Sequence, residues 1–236
     1  MNIGLLGFGV VGGGVWELAQ ENRALNVKKV LVRREAPSLG KAAVQDVEAI
    51  LRDTEIDTVV EVLGGLHPAY EWICRALAAG KDVVTANKAV ISAYYRELTA
   101  LARENGVALR CTAAVGGGIP WLVNLQRCRR VDTVTEVGGI MNGTTNFIMD
   151  AMARQGADFP AVLQRAQELG YAEADPSADI DGDDIRRKLT ISANIAFDAL
   201  LREEDIPAFG IRTVTGADVA DFPAAGSRRG FGREGP

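Results

Sequence analysis

Histidine is almost missing from this chain: His67 stands alone among 236 residues. A mechanism that needs a histidine base together with histidine ligands is thereby excluded. Cysteine is also scarce, and Cys74, Cys111 and Cys128 are odd in number and widely spaced. They suit reduced thiols, not a disulfide framework or a zinc site. No apolar run reaches the roughly 18–20 residues of a membrane span. Positive charge is not in excess either, with 26 Lys and Arg against 31 Asp and Glu and a net charge of −5. A nucleic-acid partner is a poor expectation, because a basic face is its usual footprint. The apolar start, Met1 to Trp16, lacks the basic segment that opens a secretory signal. These absences together lead us to expect a cytoplasmic protein with no membrane and no nucleic-acid partner.

Glycine is the one residue in excess, with 26 occurrences set in clusters, so the chain bends tightly at a few places. The 47% hydrophobic content is otherwise that of a globular protein able to bury a core. Ile3–Leu6 is a short apolar run leading into Gly7-Phe8-Gly9-Val10-Val11-Gly12 and a helical pattern. Further strands are expected over Val27–Val32, Thr58–Leu63, Val83–Val84 and Val107–Cys111, with helices over Val44–Leu51, Pro68–Ala79 and Ala89–Glu104. This alternation marks an α/β domain with a doubly wound parallel sheet.

After Gly116-Gly117-Gly118 the texture changes. A helix is expected from Pro120 to about Gln126, then a strand over Val131–Ile140. Helices follow over Thr145–Arg154, Pro160–Leu169 and Asp183–Leu201. The divisions are therefore 1–130 for the α/β domain, 131–214 for a second, α+β domain, and 215–236 for an unstructured tail.

Gly-x-Gly-x-x-Gly is a weak signal alone, but here it follows a strand and opens a helix. In that context Gly7 allows the tight turn, Gly9 the approach of a pyrophosphate, and Gly12 close packing of helix on strand. The helix N-terminus adds unpaired N–H groups and a positive dipole. A Rossmann-type, NAD(P)-binding domain is the reading. At the end of the second strand Arg33-Arg34 precedes Glu35. An arginine there suits a ribose 2′-phosphate, which favours NADP over NAD; the alternative is a solvated basic pair.

The segment from Gly170 to Leu189 packs six carboxylates between apolar helices. Asp183 is a natural N-cap, and Asp184 and Lys188, four apart, share a helix face. An ordinary acidic loop with a surface ion pair worth about 0.3–0.5 kcal/mol is one reading. An EF-hand loop is excluded by the positions of Gly and Glu. The other reading is chemical: carboxylates bind a substrate's α-ammonium, and a lysine, tuned by burial, moves the proton of an alcohol.

In these and further motifs the chain resembles the homoserine dehydrogenase family over roughly residues 1–220. The additional motifs are Glu61-Val62-Leu63-Gly64-Gly65 with Pro68-Ala69, Val83-Val84-Thr85-Ala86-Asn87-Lys88, Ala114-Val115-Gly116-Gly117-Gly118-Ile119-Pro120 and Gly139-Ile140-Met141-Asn142-Gly143-Thr144-Thr145-Asn146. The resemblance implies NAD(P)-dependent interconversion of L-homoserine and L-aspartate 4-semialdehyde, a step of threonine, methionine and isoleucine biosynthesis. It implies Lys188 as the catalytic lysine, Lys88 as a second active-site lysine, Asp179 as an orienting acid, and Glu173 and Asp184 as the carboxylates on the amino group. Gly64, Gly65, Lys88 and Gly170 join the glycine turn as cofactor contacts. A monovalent cation site, Na+ in kind, falls on the carbonyls of Thr112, Val115, Gly117 and Ile119, with Thr112 where the family usually has glutamate. A homodimer is implied as well. Family members continue past the segment equivalent to Gly210-Ile211-Arg212, so an uncovered sheet edge or apolar face is expected.

Rivals are weaker. A short-chain dehydrogenase needs Tyr-x-x-x-Lys, and none of Tyr70, Tyr94, Tyr95 or Tyr171 has lysine four on. An acylating semialdehyde dehydrogenase needs a nucleophilic cysteine with a histidine base. A catalytically impaired NADP-binding remnant of the family stays open. The basic pair is tested by comparing KM for NADP and NAD in wild type and Arg33→Ala: loss of NADP preference is expected, and an unchanged preference refutes the phosphate clasp.

Overall fold

The computed structural model describes residues 1–219. The chain divides into two compact units, Met1–Arg127 and Cys128–Pro236. The first unit is built on six parallel strands: β1 (Asn2–Leu6), β2 (Asn26–Leu31), β3 (Ala43–Val44), β4 (Thr58–Glu61), β5 (Asp82–Thr85) and β6 (Leu109–Arg110). Their order across the sheet is β3-β2-β1-β4-β5-β6. That is the order of two mononucleotide-binding halves, and the strand direction of travel reverses between β1 and β4. Helices α1 (Val10–Glu21), α2 (Glu48–Leu51), α3 (Ala69–Ala78), α4 (Lys88–Glu104) and α5 (Trp121–Cys128) complete the succession. The parallel α/β architecture expected from the alternation is therefore present.

After Asn2, β1 reads as an apolar run because both its faces are covered, as parallel sheets require. Ile3 and Leu5 pack with Val27 and Val30 of the neighbouring strand, with Val32 just beyond it and with Ala19 of α1. The helix expected over Val44–Leu51 is split. Ala43–Val44 pairs with Val30 and Leu31 as an edge strand, and only Glu48–Leu51 is helical. Asp46 marks the break: its Oδ1 accepts from the Glu48 N–H at 2.9 Å, a bond of the kind that starts a helix after the aspartate instead of carrying one through it.

In the second unit the helices are α6 (Gly143–Gln155), α7 (Phe159–Glu168), α8 (Ser177–Ile180) and α9 (Asp183–Phe197). Among its described residues all regular structure is helical. The strand expected over Val131–Ile140 does not form, since a strand needs a ladder and no described neighbour offers one. The core joins Ile148 and Met152 of α6, Val162 and Ala166 of α7, and Ile180 of α8 with Ile211 and Val219. α9 stops four residues before the expected Leu201. Asp198 turns left-handed, and the Asn194 side chain exchanges two hydrogen bonds with the Leu201 backbone at 2.9 and 2.8 Å. Of the expected tail, residues 216–219 form a helical turn: the Thr215 hydroxyl accepts from the Asp218 N–H, and the Asp218 carboxylate accepts from the Thr215 N–H. The rest of that tail, from 220 on, lies outside the described residues.

Gly12 shows how tightly the first turn is built. A Cβ there would stand 2.2 Å from the carbonyl oxygen of Gly7, a backbone atom that cannot swing aside. Gly12→Ala is therefore expected to cost about 1–3 kcal/mol in urea unfolding, whereas Gly14→Ala, whose Cβ meets nothing within 4 Å, is expected to stabilise α1 by about 0.5–1 kcal/mol.

Candidate active site

In the first unit the expected cofactor residues gather at the carboxyl ends of the central strands. Gly7, at φ 107°, leaves β1, and Gly9 stands as the N-cap of α1 with no side-chain cap bond. A Cβ on Gly9 would meet no atom within 4 Å, so the turn opens onto free space above it. Val10 and Val11 are exposed there, while Phe8 turns inward onto the core. This geometry fits a pyrophosphate laid over the turn. Beyond β2 lies a cavity of about 490 Å3 lined by Val32, Glu35, Ala36, Pro37, Gly40, Ala43 and Gln45. Arg33 and Arg34 are exposed and do not line it.

One buried carboxylate ties the neighbouring turns together. Glu61, wholly buried at the end of β4, accepts from the Leu63 N–H at 2.8 Å and the Thr85 hydroxyl at 2.6 Å. It also accepts from the Asn87 amide at 3.3 Å. Asn87 donates in addition to the Gly65 carbonyl at 2.7 Å and caps α4 by accepting from the Val90 N–H. Gly64 and Gly65, both left-handed, are thereby tied to the start of α4, where Lys88 is the first helical residue. A lysine in a first turn opposes the helix dipole by about 0.3–1 kcal/mol, so helix stability does not explain its place.

The second unit holds a separate cluster. Asp184, buried in the first turn of α9, lies 2.8 Å from Lys188 Nζ on the next turn. Lys188 also donates to the Met141 carbonyl at 2.6 Å. The Asn142 amide donates to Asp179 Oδ1 at 2.7 Å and to Asp184 Oδ2 at 2.8 Å. Three of the expected site residues, Asp179, Asp184 and Lys188, thus meet through Asn142. Glu173 stays outside this network: its side chain is exposed, and its backbone carbonyl accepts from Gln167. Asp183 is not the N-cap of α9. Gly182 takes that place in a left-handed conformation, and Asp183 instead accepts from Arg186 at 2.9 Å.

Gly170 has a structural duty that spacing did not reveal. At φ 78° it ends α7, with its own N–H bonded to the Gln167 carbonyl and that of Tyr171 to Ala166, the double bond pattern of a left-handed helix stop. The expected cation carbonyls lie on the turn after β6. There the Thr112 carbonyl accepts from the Val115 N–H and the Ile119 carbonyl from the Trp121 N–H. A carbonyl retains a second lone pair, so these hydrogen bonds leave both oxygens able to accept again. No group of three or more His, Cys, Asp or Glu side chains among the described residues is placed to hold a metal ion. Burial pushes the Cys111 thiol up to about 11 and raises Cys74 as well, the opposite of an activated nucleophile.

The protein-family profile "Homoserine dehydrogenase, NAD binding domain" matches residues 7–112, and the "Homoserine dehydrogenase" profile matches residues 120–230. A curated homoserine dehydrogenase of Synechocystis is 44% identical over 93% of this chain and 54% of its own length. The crystal structure of a homoserine dehydrogenase from Thiobacillus denitrificans superposes with a TM-score of 0.90 at 40% identity, over 96% of this chain and 56% of that one. A structure assigned to the same family from Archaeoglobus fulgidus is 32% identical with a TM-score of 0.82, over 96% of this chain and 76% of that one. The chain belongs to the homoserine dehydrogenase family. It spans about half the length of the curated homoserine dehydrogenases it matches. An NAD(P)-binding domain is present, and its profile takes in the glycine turn, Gly64–Gly65 and Lys88.

Glu61, Asn87 and Asn142 escaped the reading of residue types, although each lies in a quoted motif. An Asn before a helix announces an N-cap, and both asparagines are caps. Their second duty is to acids or carbonyls 22 to 42 positions away, which no local signal carries. The open space above Gly9 is checked by Gly9→Ala: unfolding is expected to shift by less than about 1 kcal/mol, while NADPH, titrated by fluorescence, is expected to bind at least about tenfold more weakly because a methyl group fills the place of the pyrophosphate.

Proposed function

We propose that this chain is a homoserine dehydrogenase, interconverting L-homoserine and L-aspartate 4-semialdehyde with NADP(H) in the biosynthesis of the aspartate-derived amino acids. Family membership supports the reaction class. The single observation that carries the reading to residues is the buried Lys188–Asp184 pair with Asp179 drawn up to it. When bound, NADP supplies the hydride acceptor. Glu173 and Asp184 hold the substrate ammonium, which gives an amino-acid alcohol its place by charge complementarity. Lys188, once it has passed its own proton to water, takes the hydroxyl proton as the hydride leaves the substrate carbon, with Lys88 near the reacting groups and Asp179 orienting the lysine or its water. Positioning of both reactants supplies most of the rate.

NADP is favoured by Arg33 and Arg34, whose exposed guanidinium groups suit a 2′-phosphate. The Glu35 side of the cavity beyond β2 favours NAD as a second reading, since a carboxylate there suits ribose hydroxyls. Gly7 to Gly12, Gly64, Gly65 and Lys88 contact the cofactor, and Gly170 is assigned to it by resemblance. Thr112, Val115, Gly117 and Ile119 are the carbonyls that would hold a monovalent cation. No helix among the described residues is long and apolar enough to cross a membrane, and the reading includes a cytoplasmic homodimer with a domain division near residue 130.

The test is homoserine-dependent reduction of NADP by the purified chain. Lys188→Ala is expected to lower kcat by about 10²–10⁴ and to leave NADPH affinity unchanged. Near-normal turnover in that variant removes Lys188 from the mechanism. NADPH binding without any turnover in wild type selects the remnant reading instead.

A further inference from the structure

We infer that Asn142 is the positioning residue of the acidic cluster, a clamp that holds Asp179 and Asp184 apart and together fixes the place of the Lys188 ammonium; the proposal rests on the homoserine dehydrogenase reading for its catalytic consequence. Asn142 is buried, and every bond its amide can make on the described geometry is made. The two Nδ2 hydrogens go to different carboxylates, Asp179 Oδ1 at 2.7 Å and Asp184 Oδ2 at 2.8 Å. Its Oδ1 accepts from the Thr145 N–H at 2.8 Å and from the Thr145 hydroxyl at 3.0 Å. The same Asp184 oxygen is the one that faces Lys188 Nζ at 2.8 Å. The neighbouring Met141 supplies the other Lys188 contact through its carbonyl at 2.6 Å.

Two adjacent residues therefore set the lysine from two sides: Met141 directly, and Asn142 through Asp184. Only a side chain that donates twice and accepts twice can do this while capping α6. Aspartate has the shape and the cap but no donor, and it would add a third negative charge beside the two it should bridge. Serine keeps the cap but cannot span both acids. These two substitutions separate the cap from the clamp.

The experiment is competitive acetylation of the full chain with acetic anhydride, read residue by residue by peptide mass spectrometry, alongside hydrogen exchange at Ile148 and Met152 in α6. In Asn142→Ser and Asn142→Asp, Lys188 is expected to label at a rate altered by about threefold to tenfold, the size of coupling found between groups of one network. Lys81 in the first unit and the α6 amides are expected to hold their wild-type rates. Lys188 labelling at the wild-type rate in both variants overturns the proposal. A parallel rise in exchange at Ile148 and Met152 also overturns it, because Asn142 then serves only the fold. The labelling needs no substrate, so its failure is distinct from a failure of wild type to oxidise homoserine. In an active chain, kcat is expected to fall about 10- to 100-fold in Asn142→Ser, with NADPH affinity unchanged; retained kcat overturns the catalytic consequence.

Discussion

A carboxylate and an ammonium withdrawn from water impose the strictest condition in the second unit. Asp184 is buried and Lys188 largely so, and desolvating such a pair costs several kcal/mol for each ion before their attraction offsets it. An apolar pair of similar volume would hold α9 in place at least as well. The arrangement survives because further polar partners are assembled around it: the Met141 carbonyl on the lysine and the Asn142 amide on the aspartate. Those partners come from the start of α6, so the pair dictates how the chain enters that helix. The α6 core residues Ile148 and Met152 then bury against α7 and α8.

The first unit obeys a different constraint. Its parallel strands all present their carboxyl ends on one side, and the turns leaving β1, β4 and β5 must fit together there. Gly12 has room for no side chain because the Gly7 carbonyl lies against it. Glu61 gathers the next two turns by accepting from Leu63, Thr85 and Asn87. A buried acid with three donors is well satisfied, and it links Gly65 to the N-cap of the helix that begins at Lys88. In both units an asparagine is the joint between a helix N-terminus and an acid, Asn87 with Glu61 and Asn142 with Asp179 and Asp184.

Much of this was legible from residue order. The strand before Gly7, the helices at Asp183 and Thr145, and the i, i+4 placement of Asp184 and Lys188 follow from periodicity and turn chemistry. Errors arose where a local pattern had a tertiary competitor. Val131 to Ile140 is rich in Val and Thr as strands are but has no described partner, and Val44 joined the sheet because Val30 and Leu31 offered it a ladder. Gly182 took the N-cap from Asp183. Gly170, assigned to the cofactor by resemblance, is also the stop of α7.

Residue order by itself determined most of the elements, the glycine turn and the list of acids and lysines, because those depend on φ/ψ preferences and on spacing along one helix or loop. It could not decide which acids meet the lysine. Asp179 and Asp184 are joined by a side chain 37 and 42 positions earlier, while Glu173, no less acidic, is left in solvent. Burial and hydrogen-bond reach separate them, and both exist only once distant segments have packed.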